Sequence, residues 1–156
     1  MRRVFATGWG ITEDYHDWTC GIVRDSKGAV YVVTGSDYAF KARPKDKSRW
    51  RGHALRIDET GKITSIARGL RFPTGIAIDD QDRLFVTDQQ GVQNTFNELN
   101  HVQEGHVYGV PSRHEENPNE PADPPAIQIP HPWTRSVNGV VFVGKRNTED
   151  RIQKAE

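Results

Sequence analysis

Short apolar runs recur along the chain, and each is bounded by Gly, Asp or Asn. Examples are GIVRD, AVYVVTG, HALRID, KITSIARG, GIAID, RLFVTD and GVVFVG. Such runs favour β-strands that lie half-buried in a sheet. Apolar residues at helical spacing are nearly absent, so the pattern predicts an all-β protein.

The tetrapeptides between paired runs are typical of tight hairpin turns. They read Asp-Ser-Lys-Gly, Asp-Glu-Thr-Gly and Asp-Asp-Gln-Asp. Gly and Asp tolerate the positive φ that such a turn requires. The sequence therefore predicts consecutive β-hairpins.

Two of the hairpins repeat one another at a spacing of 75 − 21 = 54 residues. The matched pairs are Gly21 with Gly75, Ile22 with Ile76, Asp25 with Asp79, Tyr31 with Phe85 and Val32 with Val86. Two further strands lie between the copies, and a repeat of ~40–50 residues that holds four strands is typical of a β-propeller blade. The alternative is a β-sandwich whose hairpins happen to look alike.

We predict a β-propeller fragment of about two and a half four-stranded blades. The blades span roughly residues 15–68 and 69–135, and a third begins at 136–144. The Pro-rich stretch 112–132 is predicted to be an irregular, extended insert, since proline cannot continue a helix. An unclosed propeller leaves strand edges open, so we expect a fragment of a longer protein; assembly of several chains is the alternative.

Composition excludes several classes of function. The 21 Lys and Arg residues balance 21 Asp and Glu residues, so neither nucleic acid nor an anionic membrane is expected as a partner. No apolar run approaches the ~20 residues that cross a membrane. The first residues, MRRVFATGWG, lack the apolar core of a signal peptide. A periplasmic or secreted parent protein is still compatible with this chain.

Candidate catalytic residues lie just before the predicted inner strands. The ends of inner strands converge on the central channel of a propeller, which brings together residues distant in sequence. His16 precedes one inner strand and Arg71 precedes the next. These residue types could serve as a general base and an anion clamp. The alternatives are a surface histidine and an arginine that hydrogen-bonds across blades.

The segment after Asp88 is rich in oxygen ligands. It offers backbone carbonyls at Gly91 and Val92, the carboxylate of Glu98 and the phenol of Tyr108. Carboxamides accompany them at Asn94, Asn97 and Asn100. Calcium takes six to eight hard oxygen ligands on a flexible loop, so the segment predicts a calcium site. Asp88 could alternatively only cap its hairpin, and His101 with His106 lack the third ligand that zinc requires.

At this point the chain resembles a known family. The stretch GLRFPTGIAIDDQDRLFVTDQQGVQNTFNELNHVQEGHVYGVPS is similar to the soluble quinoprotein glucose dehydrogenases and glucose/sorbosone dehydrogenases. It is closer still to a bacterial branch of propellers described as membrane-bound dehydrogenase domains, which are often fused to cytochrome c. The resemblance covers roughly Tyr15 to Gly144 and is strongest from Gly69 to Ser112. It implies a six-bladed propeller that holds pyrroloquinoline quinone and calcium.

The resemblance implies roles for individual residues. Arg71 matches the arginine that contacts the carboxylates and carbonyls of the quinone. Gly91 and Val92 match the two residues whose carbonyls ligate the quinone-bound calcium. Glu98 and Tyr108 match oxygen ligands of the structural calcium pair, with one residue inserted between Gly91 and Glu98.

Three positions depart from the family pattern. His16 matches the catalytic histidine but lies two residues farther from the strand glycine, Gly21. Phe72 replaces a polar asparagine that touches the cofactor, and Asn97 stands where the family has a second acid. The later blades, which supply further cationic contacts to the cofactor, are missing from this chain.

The implied activity is oxidation of a sugar or alcohol hydroxyl with hydride transfer to pyrroloquinoline quinone. His16 would take the proton, while calcium and Arg71 would stabilise the charge on the quinone. We expect this chain to be incomplete and inactive alone, with a cytochrome c domain as a partner in the full-length parent. The alternatives are a non-catalytic NHL-like binding module and a calcium-dependent lactonase-type propeller.

Overall fold

The computed structural model describes residues 3–10, 18–36, 49–89, 96–109 and 121–143. Within these ranges every regular element is a β-strand, which confirms the prediction of an all-β chain. The strands are β1 (Thr19–Arg24), β2 (Val30–Thr34), β3 (His53–Ile57), β4 (Ile63–Arg68), β5 (Pro73–Ile78), β6 (Leu84–Asp88), β7 (Phe96–Val102) and β8 (Ile127–Pro130). The described residues contain no helix that could cross a membrane.

The strands form two four-stranded antiparallel sheets in which chain neighbours are also sheet neighbours. The orders are β1-β2-β3-β4 and β5-β6-β7-β8. Both innermost strands carry a register irregularity beside the repeated glycine, Gly21 in β1 and Gly75 in β5. Two such meanders in succession confirm the prediction of propeller blades.

Three hairpins share one aspartate turn, as the tetrapeptides predict. In each turn the aspartate Oδ1 accepts hydrogen bonds from the backbone N–H groups two and four residues later. The fourth residue of the turn has a positive φ: 94° at Gly28, 85° at Gly61 and 60° at Asp82. Asp82 adopts the left-handed conformation without being a glycine, which Asp tolerates better than most residues.

The main core lies between the two sheets. Val33, Ala54 and Ala67 of the first sheet pack with Leu84, Val86, Val102 and Tyr108 of the second half of the chain, and all seven are buried. The innermost strands approach so closely that a Cβ on Gly21 would lie 1.8 Å from Cγ2 of Ile76. A glycine is required at this point because any side chain would overlap Ile76.

The outer edge of the first sheet is covered by the second half of the chain. Residues 105–108 run beside β4, where Gly105 N donates to Ile66 O (2.7 Å) and Tyr108 N donates to Arg68 O (2.9 Å). Arg68 N in turn donates to His106 O (3.1 Å). These bonds satisfy backbone groups that an open edge strand would expose.

The Pro-rich stretch is more regular than predicted. We expected 112–132 to be an irregular insert, yet Ile127–Pro130 forms β8, the fourth strand of the second sheet. Proline is compatible with this position because an edge strand does not use every N–H in a ladder. The prediction of an irregular insert is therefore wrong at its end.

Residues 136–143 lie along β5 without forming a regular strand themselves. The hydroxyls of Thr74 and Thr87 donate to the carbonyls of Val137 (2.7 Å) and Asn138 (2.6 Å). A Cβ on Gly75 would lie 2.1 Å from Asn138 O, just as one on Gly21 would overlap β5. Residues 136–143 therefore pack against β5 in the same way as β5 packs against β1.

Candidate functional site

Arg71 lies at one end of the two sheets, together with Asp88. The chain segments at this end enter β1 and β5 and leave β2 and β6, and we call their described residues the site edge: Trp18, Gly35, Ser36, Arg71, Phe72, Asp88 and Gln89. Backbone hydrogen bonds join these segments, from Gly35 N to Trp18 O (3.2 Å), Ser36 N to Arg71 O (2.8 Å) and Gln89 N to Phe72 O (3.3 Å). The site edge is therefore cross-linked between blades.

Asp88 is the buried anchor of this edge, with 3% of its surface exposed. Its carboxylate accepts hydrogen bonds from Arg71 N (2.7 Å) and Phe72 N (2.6 Å). Burial raises the pKa of Asp88 to about 7, and the neighbouring Glu98 carboxylate adds to the rise. The hydrogen bonds from Arg71 N and Phe72 N and the positive charge of the Arg71 guanidinium act in the opposite direction and lower this pKa. Asp88 thus caps the segment before β5, rather than only its own hairpin.

Arg71 is half-buried and its backbone is bound on both sides. Its carbonyl accepts from Ser36 N, while its own N–H donates to Asp88. This arrangement places Arg71 at the same edge as Gln89, where residues 90–95 begin. Three other predicted site residues, His16, Gly91 and Val92, lie outside the described residues.

Glu98 and Tyr108 line the same cavity, whose volume is about 300 Å³. Glu98 is buried and lies directly opposite Asp88 in the β6–β7 pairing. The Tyr108 hydroxyl donates to His101 O (2.7 Å) and accepts from Gln103 N (3.3 Å). Burial raises the pKa of Tyr108, so its phenol stays neutral. Metal ligation by Tyr108 stays a prediction.

Two oxygen-bearing residues of this cavity escaped the sequence reasoning. They are Asp123 and Gln128, which lie within the Pro-rich stretch and line the cavity beside Glu98. The Asp123 carboxylate accepts from Val107 N (2.8 Å), which holds it against the first turn after β7. Sequence spacing could not reveal them, because the pairing of β7 with β8 places Gln128 opposite Glu98 and hydrogen bonds with Val107 hold Asp123.

Alternation along β7 separates the three candidate carboxamide and carboxylate residues. Glu98 and Asn100 share one face, and Asn100 Nδ2 donates to Glu98 Oε2 (3.3 Å). Asn97 points to the opposite face and donates to Thr134 O (2.8 Å). Asn97 therefore does not join Glu98 in one ligand set.

The oxygen groups of this cavity and of Asn100, the neighbour of Glu98 on β7, suit a hard cation. Asn100 is fully buried, and its Oδ1 has no hydrogen-bond partner in the described part of the chain. With the Glu98 and Asp123 carboxylates it would make a donor set of the type that calcium prefers. The described residues contain no group of three His, Cys, Asp or Glu side chains placed to hold a metal, so further ligands would have to be carbonyls, carboxamides or water.

The two histidines after Asp88 have separate environments. His101 stacks on Phe85, with 4.7 Å between ring centroids. His106 Nδ1 lies 3.8 Å from Asp123 Oδ2. His101 thus has an aromatic neighbour and His106 an acidic one.

Solved structures that resemble this chain in fold include two aldose sugar dehydrogenases. The PQQ-bound aldose sugar dehydrogenase of Streptomyces coelicolor matches with a TM-score of 0.61 and 23% identity, over 80% of this chain and 40% of that one. The apo form of the soluble aldose sugar dehydrogenase of Escherichia coli matches with a TM-score of 0.60 and 19% identity, over 83% and 44%. This chain folds as part of a sugar-dehydrogenase-like propeller.

A third structure supports the same fold. A putative oxidoreductase (glucose dehydrogenase) of Thermus thermophilus matches with a TM-score of 0.55 and 22% identity, over 76% of this chain and 41% of that one. The chain spans less than half the length of each of these relatives. No protein-family model and no curated protein sequence matches it.

Proposed function

We propose that this chain is part of a propeller dehydrogenase that oxidises a sugar or alcohol hydroxyl and uses pyrroloquinoline quinone as its cofactor. The observation that carries the proposal is the hold of buried Asp88 on both Arg71 N and Phe72 N. That hold fixes a cationic residue at the strand ends of a fold shared with sugar dehydrogenases. The strand ends are also where propellers place their central site.

Arg71 would bind the anionic cofactor. A guanidinium presents a rigid fork of N–H donors that matches carboxylates in geometry and charge. The bonds to Ser36 and Asp88 fix the Arg71 backbone in advance, so less conformational entropy is lost when an anion binds. The carbonyls of Gly91 and Val92 would hold the calcium that accompanies the cofactor.

Proton transfer is assigned to His16. A neutral imidazole accepts the proton of the substrate hydroxyl as general base, since its pKa suits operation near neutral pH. The quinone, when bound, would supply the acceptor for the hydride from the carbon that carries this hydroxyl. Trp18, two residues after His16, is tied to Gly35, which joins this part of the chain to the site edge.

A structural calcium ion is the second part of the proposal. Glu98 and Asn100 would supply a carboxylate and a carboxamide oxygen from one face of β7, and Tyr108 lines the same cavity as Glu98. Calcium would satisfy the Asn100 Oδ1 that lacks a hydrogen-bond partner in the described part of the chain. It would also offset the negative charge of Glu98 beside Asp88.

The full activity belongs to a longer assembly. Because this chain spans less than half of its structural relatives, we propose that further blades complete the site in a parent protein. A cytochrome c domain as electron acceptor and a periplasmic or secreted location are parts of the same proposal.

The test is a titration of the purified chain with calcium and pyrroloquinoline quinone. A ligand that binds only the folded chain stabilises it by mass action, by about 2.7 kcal/mol at a hundredfold excess over Kd. We expect a higher Tm and a perturbed quinone absorbance. Stabilisation by calcium alone would indicate a structural metal without the cofactor site.

The decisive comparison uses two arginine variants. Arg71→Gln removes the proposed clamp, whereas Arg83→Gln removes an exposed arginine that pairs with Asp79 at the opposite end of the sheet. We expect the quinone response to be lost in Arg71→Gln and kept in Arg83→Gln. An equal response in both variants would contradict the role of Arg71, and no response from the folded wild-type chain would show that this part of the propeller does not bind the cofactor by itself.

A further inference from the structure

Trp18 and Phe72 form an aromatic pair at the site edge that the roles above do not use. Their ring centroids lie 5.3 Å apart and the ring planes make an angle of 54°. Phe72 is half-buried, whereas 53% of the Trp18 surface is exposed. Because they precede β1 and β5, the two rings flank adjacent inner strands. The pair therefore spans the junction of two blades beside Arg71.

The two rings are held on a rigid frame. Trp18 O accepts from Gly35 N, and the next residue, Thr19, accepts from the indole of Trp9 (3.0 Å). Phe72 is bound at both backbone groups, by Asp88 through its N–H and by Gln89 through its carbonyl. A large aromatic surface that is exposed on a fixed backbone is typical of a binding site, since little ordering remains to be done when a ligand arrives.

We propose that Trp18 and Phe72 form the wall that binds the ring of an aldose substrate. This inference rests on the proposed dehydrogenase function, and it assigns the residues that select the substrate class. An aldose ring carries C–H groups on its faces and hydroxyls around its rim. The aromatic rings pack against the C–H groups, while the rim hydroxyls lie toward the polar groups of the site edge.

The tilt of the pair favours a puckered ring over a flat one. Two planes at 54° cannot both stack on the same face of a planar ligand, so a quinone would contact only one of them. D-Glucose carries C–H groups on both ring faces and on its exocyclic methylene, so one aromatic ring can stack on a face while the other contacts the methylene. Phe72 contributes to the wall because its side chain is aromatic. A polar residue at position 72 would leave the wall with the Trp18 ring alone.

The inference predicts a specific perturbation by sugar. In ¹H–¹⁵N NMR spectra of the chain, D-glucose should shift the resonances of the Trp18 indole N–H and the Phe72 amide. A titration up to ~100 mM glucose detects binding with Kd values in the millimolar region and above. Trp18→Ala and Phe72→Leu should each weaken glucose binding by ~tenfold. Dispersed spectra of the variants confirm that they fold.

Trp133→Ala is the matched control. Trp133 is 80% exposed but follows β8, on the outermost side of the second sheet. Glucose binding should be unchanged in this variant. Equal loss in Trp133→Ala, or the absence of any glucose-dependent shift at Trp18, would overturn the inference.

Titration of the same samples with pyrroloquinoline quinone and calcium separates the two proposals. Quinone binding without a glucose response overturns the aldose wall and leaves the proposed function in place. A glucose response that depends on Trp18, without quinone binding, overturns the proposed function and supports the wall. Quinone-induced shifts at both rings with none from glucose would assign the pair to the cofactor and refute the wall.

Discussion

Replacement of Asp88 by asparagine tests the central structural claim, that a buried carboxyl anchors the site edge. Burial moves the pKa of Asp88 from 3.8 to about 7. The folded chain therefore holds this proton more tightly than the unfolded chain does. Between about pH 4 and about pH 7 the unfolded chain is deprotonated first, so the free energy of unfolding falls as the pH rises.

The size of the effect follows from the pKa difference. A rise from 3.8 to about 7 corresponds to about 4 kcal/mol of stability lost across that range. This is a large part of the ~5–15 kcal/mol that stabilises a typical domain. Asparagine does not titrate, so Asp88→Asn should lack this dependence. Asp88→Asn should be ~1–3 kcal/mol less stable than the wild-type chain with Asp88 protonated, because a carboxamide can accept from only one of the two amides with its single oxygen.

The assay is urea unfolding of the wild-type chain and Asp88→Asn at several pH values from about 4 to about 8. The quantity of interest is the difference between their free energies of unfolding. We expect the wild-type advantage to fall by about 4 kcal/mol as the pH rises, so that Asp88→Asn is the more stable chain at about pH 8. Asp80→Asn, which makes the same substitution at an exposed turn residue, serves as the control. A difference between wild type and Asp88→Asn that does not change with pH would refute the reasoning.

Two further predictions concern the packing between blades. Gly75→Ala would bring a Cβ to 2.1 Å from Asn138 O and should cost ~1–3 kcal/mol in urea unfolding, whereas Gly139→Ala meets nothing within 4 Å and should cost far less; equal costs would contradict the observed packing. Asp82 accepts from Ser26 N (2.9 Å) and Ser26 Oγ (2.5 Å), which lowers its pKa. Asp82→Asn keeps the tolerance for positive φ, so the substitution removes only the charge. The wild-type chain should be more stable than Asp82→Asn at neutral pH, and this advantage should disappear as the pH falls below about 4, when the carboxylate is protonated. An advantage that persists in acid would show that charge is not involved.

Much of the fold was predictable because its signals are local. A turn such as Asp79 to Asp82 is stabilised by the aspartate's own hydrogen bonds to nearby amides, so the tetrapeptide alone identifies it. The repeat was equally easy to recognise, since Gly21 and Gly75 are each required by a close approach, of β5 to β1 and of residues 136–143 to β5. The strand β8 was missed because prolines dominate its surroundings, and only pairing with β7 makes it a strand.

The candidate site was less predictable, since its parts come from separate blades. Arg71 could be proposed from its place before an inner strand, but the role of Asp88 beneath it could not. That role depends on the loop before β5 folding over the end of β6. Asp123 was not identified from the sequence either. Its separation from Glu98 along the chain does not indicate that both residues line one cavity.

The sequence by itself determined the all-β class, the turns and the blade repeat, since each depends on residues within one hairpin or on a periodic pattern. Only the tertiary structure decided which side chains meet at the site edge, which carboxyl is buried and how Trp18 faces Phe72. Burial and close contact between blades are properties of packed sheets. They change the pKa of Asp88 and the exposure of Trp18 without leaving a pattern in the neighbouring residues.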